Sequence, residues 1–245
     1  MWRATVLLRK RGDISGASFQ KTWLDVVAPA IGAAVAATGH AVSALVNVAP
    51  ESISEDLRKV FAPAFDGLLE LWFADVASAV SCLDMLRSNS ALRDLASPVI
   101  DGAAGVLWLA EAFPIKPEAA SAVKFLAGGD VAEGVPLEVA QAYYRDEHPR
   151  VARTAPKVWE PLTRYTQFHG RPEPIVPNID WLAGARFVPM CSDMGFADIG
   201  DFLKVYGSDE YARIVRPDEE KFSRPGEMLS FISAEERVLF GRARP

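Results

Sequence analysis

Phe73-Ala74-Asp75-Val76 returns later in the chain as Phe196-Ala197-Asp198-Ile199, and an acid stands three places ahead of each Phe: Glu70 in one copy, Asp193 in the other. Working outward, Trp23-Leu24-Asp25-Val26-Val27 is echoed by Tyr144-Arg145-Asp146-Glu147-His148. Ser43-Ala44-Leu45-Val46-Asn47 lines up with Tyr165-Thr166-Gln167-Phe168-His169. The matches occur in the same order, so the chain holds one small fold twice. A repeat spacing of roughly 120 residues suits an α+β unit with its own core. The expected units are 1–117 and 118–245, with the polar chemistry gathered in the second.

Period-two alternation from Arg3 to Arg9 predicts a strand, with Ala4, Val6 and Leu8 on one side and Thr5 and Leu7 on the other. Ser18 is the expected cap of a helix to about Ala37, stopped by Gly39. A strand over 40–48, a polar connection over 51–64, a strand over 68–73, a helix over 77–95 and a strand over 106–113 follow. The second half repeats the order: strand 122–126, a turn at Gly128-Gly129-Asp130, a helix from Pro136 past Ala152, and strand 162–169. A Pro-rich insertion comes next, then strand 186–194, a helix from Asp198 to about Ile214 and a last strand near 228–240. Each β-α-β-β-α-β unit makes a ferredoxin-like antiparallel sheet with both helices on one face. Its bare apolar face needs a cover. Two such sheets face to face give an intramolecular α/β barrel that closes within a monomer, and a homodimer is permitted but not required.

The bulk numbers exclude several classes. Half of the 245 residues are hydrophobic and the net charge is −6, so the basic stripe of a nucleic-acid surface is missing. Two cysteines, Cys82 and Cys191, fall at non-equivalent places and read as free thiols in a reducing compartment. The apolar N-terminal stretch is too short for a signal peptide. The Ala-rich run over 28–46 is broken by Pro29, Gly32, Gly39 and His40, which argues against a membrane span. The expected location is cytoplasmic. No Cys/His spacing for zinc, Walker A motif, Rossmann glycine fingerprint or Gly-x-Ser-x-Gly elbow occurs.

Three segments resemble the EthD family of the dimeric α/β-barrel superfamily: the aromatic-then-His helix motif Tyr144 to His148, the strand Arg164-Tyr165-Thr166-Gln167-Phe168-His169, and the acid-then-Phe strand Glu70-Leu71-Trp72-Phe73-Ala74-Asp75. In the first half Val27 and Asn47 replace the two histidines. In the second, Arg150 stands where the family usually has Pro, with Pro149 one place early. The resemblance implies a hydrophobic cavity for a ring-containing or polyketide-like molecule in the second half, served by proton transfer.

His148 is the first candidate base, with Tyr144 on the same helix face at i and i+4. Tyr144 would donate to a developing enolate. The alternative has His148 capping a group near the helix surface. His169 shares one strand face with Tyr165, Gln167 and Arg171, while Arg164, Thr166 and Phe168 take the other; either face is open to the cavity, and a solvated strand is the plain alternative. Asp193 is a candidate to orient an imidazole or act as a base, or else a partner of Arg164 or Arg186. Tyr206, Tyr211, Tyr165 and Arg164 are candidate substrate contacts. Trp23, the counterpart of Tyr144, is another, or a core residue. His40 reads as structural or exposed.

These residues lead to a cofactor-independent lyase, dehydratase, isomerase or cyclase. Two alternatives stand beside it. One is a haem enzyme with His148 on iron and an Arg such as Arg186 opposite; the other is a non-catalytic carrier of a hydrophobic metabolite.

Overall fold

The Phe-Ala-Asp repeat ends a strand and starts a helix in both copies of the computed structural model, which describes residues 1–50, 54–55, 65–117, 119–224, 229–233 and 235–242. Phe73 and Phe196 are the last strand residues, both fully buried. Asp75 and Asp198 are extended N-caps whose carboxylates accept from the amides of Ser78 and Asp201. The repeat is therefore a strand–cap–helix device, with the cap satisfying a helix-end amide that has no partner within the helix.

The first unit contains β1 (Trp2–Leu8), α1 (Gly16–Thr22), α2 (Ala28–Thr38), β2 (Ala41–Val48), β3 (Gly67–Phe73), α3 (Val76–Ser88), α4 (Ser90–Ala96) and β4 (Val106–Lys116). The second contains β5 (Val123–Gly129), α5 (Leu137–Asp146), α6 (His148–Arg153), α7 (Pro156–Trp159), β6 (Leu162–Gly170), the short β7 (Gly184–Ala185), β8 (Met190–Phe196), α8 (Ile199–Tyr206), α9 (Arg216–Glu219) and β9 (Leu229–Ser233). A final strand, β10 (Glu235–Phe240), follows. Strand order is β10-β2-β3-β1-β4-β6-β8-β5-β9, so each unit is ferredoxin-like and the two are joined by β4 against β6. β9 holds one end of this order and β10 the other, yet they are consecutive in the chain. One nearly continuous terminal segment therefore ties both edges together, and the barrel closes within a single polypeptide.

Helix boundaries depart from the sequence reading for identifiable reasons. Ser15, not Ser18, caps α1, because its Oγ accepts from the Ser18 amide at 3.1 Å. The helix expected to run to Ala37 passes through a π-helical turn, Trp23–Val27, just ahead of Pro29. A second π turn, Tyr211–Val215, precedes Pro217, and the break at Glu147 precedes Pro149. In each case the proline ring lacks an N–H and crowds the carbonyl four residues back, which the helix relieves by widening or breaking. The helix expected over 77–95 divides at Asn89, whose side chain caps α4.

Gly128 and Gly129, expected in a turn, are strand residues opposite Cys191 and Met190. The strand expected from Arg186 starts at Met190, after Pro189, which cannot donate to a ladder. The connection over 51–64 lies, except for 54–55, outside the described residues, as does Met228.

Alternation on β1 is as read: Ala4, Val6 and Leu8 pack under the first unit's helices, while Leu7 joins Leu45, Leu68, Trp72, Trp108, Leu126, Phe168 and Phe231 in the barrel interior. That interior also holds charge. Arg3 Nη1 lies 2.9 Å from Glu70 Oε2 and 2.6 Å from Asp193 Oδ2. Arg164 Nη2 reaches Asp193 Oδ1 at 2.7 Å, Lys124 pairs with Glu70, and Lys124 Nζ is 2.5 Å from Glu236. Three buried cations thus face two buried carboxylates and the exposed Glu236, and such pairing is the condition for burying charge at tolerable cost.

Candidate functional site

The second unit's helices do not press flush against the outer face of their sheet. Between them lies a cavity of about 90 Å³. Its floor is β5 and β8: Ala127, Gly128 and Gly129 line it from β5, and Met190, Ser192 and Met194 alternate upward from β8. Tyr144, His148, Val158, Val205, Tyr206, Tyr211, Glu219 and Phe222 form walls and roof. The lining is mainly apolar, with a few convergent polar groups, as small-molecule sites are.

His148 opens α6 at the Pro149 break, and its side chain is buried. Its Nδ1 sits 2.8 Å from Asp218 Oδ2 on α9. Asp218 Oδ1 accepts from Tyr143 Oη at 2.5 Å and Lys221 Nζ at 2.9 Å. Burial works against the Asp218 carboxylate, but the bonds from His148, Tyr143 and Lys221 together outweigh it and hold its pKa at about 2. A carboxylate that only accepts fixes the neighbouring ring: Nδ1 must carry a proton toward Asp218, so in the neutral imidazole the lone pair is on Nε2.

Tyr144 lies 6.0 Å from His148, ring centre to ring centre. Its hydroxyl is 2.6 Å from Ser192 Oγ, and burial raises its pKa well above the ordinary tyrosine value, so it stays protonated. Tyr165 is raised in the same direction by burial. Gln167 donates to the Tyr144 carbonyl at 2.6 Å and to Tyr165 Oη at 3.0 Å. β6 therefore turns Tyr165, Gln167 and His169 toward the helices and Arg164 and Phe168 into the barrel, which decides the open question of strand face.

His169 is not in the cavity lining. It stacks on Tyr144 at 5.3 Å and lies tilted against Phe113 at 4.5 Å, with Nε2 3.2 Å from Gln167 Oε1. Burial, then the charges of Arg171 and Arg145, hold its pKa down at about 4.

Other candidates divide by position. Tyr206 and Tyr211 line the cavity. Asp193 and Arg164 do not: they bond to each other inside the barrel, on the opposite face of the sheet, so neither meets the site. Trp23 is fully buried, stacked on Phe19 in the first unit's core. The sequence reading missed Asp218, Glu219, Ser192 and Tyr143. Asp218 follows Pro217, beyond the expected end of the helix at about Ile214, and only its packing against α6 makes it part of the site.

Residues 132–226 match the EthD domain. The EthD match takes in His148, Tyr144, Asp218 and Glu219, and leaves the first unit outside. No curated protein matches the chain. Among solved structures, an anthrone oxidase-like protein superposes with a TM-score of 0.62 at 9% identity, covering 99% of this chain and 94% of that one. A chlorite dismutase from Candidatus Nitrospira defluvii, in complex with imidazole, gives 0.53 at 10% identity, covering 96% and 91%. At such identities these are likenesses of fold.

They correct one expectation. Chlorite dismutases are haem-binding proteins, so a barrel of this fold is not a cofactor-free architecture as such. One feature of this pocket suits haem: an imidazole whose second nitrogen is tied to a carboxylate makes a strong metal ligand. Three do not. Phe222 packs against the His148 ring at 4.9 Å and Tyr144 covers it from 6.0 Å, and the enclosed space is small. Among the described residues the lining offers a carboxylate, Glu219, and no Arg or Lys for propionates. Arg186, expected opposite the histidine, sits outside the lining and pairs with Asp130 at 3.6 Å. As arranged, these residues do not fit haem. Among the described residues no helix is long and apolar enough to cross a membrane, and no three potential ligands cluster as a metal site.

Proposed function

We propose that the pocket of the second unit is the active site of an enzyme that transfers protons on a small ring-containing or polyketide-like carbonyl compound, in a lyase, dehydratase, isomerase or cyclase reaction. The observation that carries this reading is the His148–Asp218 pair at 2.8 Å, which leaves one basic nitrogen for an apolar cavity.

The geometry supports the following roles. A ring compound occupies the space above Gly128 and Gly129, held by Met190, Met194, Val205 and Phe222. Its carbonyl oxygen docks at the Tyr144, Ser192 and Tyr165 hydroxyls, which stay protonated and can donate as negative charge develops on that oxygen. His148 Nε2 takes the proton from the neighbouring carbon, and Asp218 stabilises the imidazolium that results. Tyr143 and Lys221 keep Asp218 ionised. His169 stacks behind Tyr144 and positions it. Buried free thiols at Cys82 and Cys191 accord with a cytoplasmic setting.

The test is hydrogen–deuterium exchange at the carbon next to the carbonyl of 2-tetralone, a small bicyclic ketone, followed by NMR in heavy water. The protein is expected to accelerate exchange and His148→Ala to abolish the acceleration. Binding of the ketone with no accelerated exchange would show a carrier instead of an enzyme.

A further inference from the structure

The pocket contains a second ionisable group of the right kind, and it comes from the residue next to Asp218. Glu219 lies in the cavity lining, with its side chain 23% exposed. Among the described residues Tyr211 and Arg216 hold its carboxylate. Tyr211 Oη donates to Glu219 Oε2 at 3.1 Å, and Arg216 Nη1 donates to the same oxygen at 3.2 Å; Oε1 has the longer 3.4 Å contact with Tyr211. Sequence adjacency on α9 makes the two acids diverge: Asp218 supports the histidine from behind, while Glu219 faces the cavity.

We propose that Glu219 is the proton donor to oxygen that complements His148, and that the reaction therefore eliminates water from a β-hydroxy carbonyl compound, as in a dehydration or the closing step of an aldol-type cyclisation. This rests on the proton-transfer reading of the same pocket. The step balances without an oxidant. His148 Nε2 takes the proton from the carbon beside the carbonyl, and the C–H electron pair moves into an enolate whose oxygen sits at the Tyr144, Ser192 and Tyr165 hydroxyls. The pair then returns to form the C=C bond as the C–O bond to the β-hydroxyl breaks. The Glu219 proton goes to the departing oxygen, which leaves as water. Imidazolium and carboxylate then reset by proton exchange with solvent.

The surroundings of Glu219 favour such a role. Burial raises its pKa, while His148 on α6, then Tyr211 and Arg216, limit the rise and stabilise the carboxylate left after donation. Tyr206 on α8 and Tyr165 on β6 also feel its charge.

Two probes separate this inference from the reading beneath it. Exchange of 2-tetralone needs a base; dehydration of 4-hydroxy-4-phenylbutan-2-one to 4-phenylbut-3-en-2-one, followed by absorbance, needs a base and an acid on oxygen. Glu219→Gln is expected to lower dehydration about 100-fold, the low end of a general acid's contribution, and at least tenfold more than it lowers exchange. Glu219→Asp restores part of the dehydration, which separates a chemical loss from a folding defect. Dehydration and exchange falling together in Glu219→Gln, with no rescue by Asp, overturns the assignment while leaving His148 in place. Activity toward both probes surviving His148→Ala, or no activity of the unaltered protein toward either, overturns the base and the acid together.

Discussion

Glu70 and Asp193 stand at the same position of the two copies and meet on a single guanidinium, that of Arg3, at 2.9 and 2.6 Å. The acid that precedes each Phe-Ala-Asp motif therefore points into the barrel, where duplication brings two like charges face to face. Arg3 also lies 3.4 Å above the Phe168 ring, so it is fixed by both units. Arg164 and Lys124 complete the neutralisation.

Arg3→Met should consequently cost more than an ordinary core substitution. It leaves two carboxylates buried with one cation each, and removing one member of a buried ionic set typically costs about 3–5 kcal/mol. Urea unfolding should show the midpoint falling steeply in this variant. A loss under about 1 kcal/mol would mean that water, not Arg3, compensates the acids.

Asp218→Asn tests how the site histidine is held. An amide can turn either its oxygen or its NH₂ toward His148 Nδ1, so it no longer enforces a free Nε2 lone pair. Activity in the 2-tetralone exchange assay should fall by roughly 10²–10⁴-fold, the range expected of general-base catalysis. Tyr143→Phe removes only one of the donors to Asp218 and should act in the same direction but less. Full activity in Asp218→Asn would remove the dyad from the mechanism.

The fold was legible in the sequence wherever a local rule set it. Asp75 and Asp198 are caps with a chemical signature, β1 alternates cleanly, and Gly39 ends α2 with a left-handed φ of 68°. Tyr144 and His148 were legible as a pair by helical spacing, though Pro149 breaks the helix between them. What escaped depends on distant partners. Asp193 and Arg164 read equally well as site or scaffold, and the deciding contact to Arg3 spans 190 positions. The face of β6 is set by a register shift between Leu162 and Arg164, which alternation alone does not reveal. Gly128-Gly129 looks like a turn until β8 pairs with it. Asp218 and Glu219 lie beyond the expected helix end, and only the docking of α9 brings them to the site.

His169 gives the protein an acid-sensitive element. Burial, with Arg171 and Arg145 adding to it, depresses its pKa from the reference 6.5 to about 4 in the folded state. The unfolded chain therefore binds a proton that the folded one refuses. Stability is intact above pH 6.5 and declines as pH falls toward 4, by up to about 3 kcal/mol. His169→Gln keeps an amide near Gln167 and cannot titrate, so its stability profile should be flatter over that window. Parallel profiles for the two proteins, measured by urea unfolding at a series of pH values, would show that His169 does not titrate on unfolding.

Closure of the barrel rests on a glycine. A Cβ on Gly32 of α2 would come within 2.9 Å of Leu239 Cδ1 and 3.0 Å of Leu239 Cβ on β10. That contact lets the helix lie close to the strand joining the second unit's edge to the first, where Arg237 also pairs with Asp25 at 3.1 Å. The terminal Leu239 carbon can swing away, but its Cβ moves only with the strand backbone. Gly32→Val should therefore push β10 off β2, at about 1–3 kcal/mol of overpacking. The effect should be local. Amide hydrogen exchange should speed up along β10 and the facing edge of β2, while β5, β6 and β8, which carry the pocket, keep their protection and His148-dependent activity persists. Uniform loss of protection across both units would show instead that the seam is inseparable from the folding of the whole barrel.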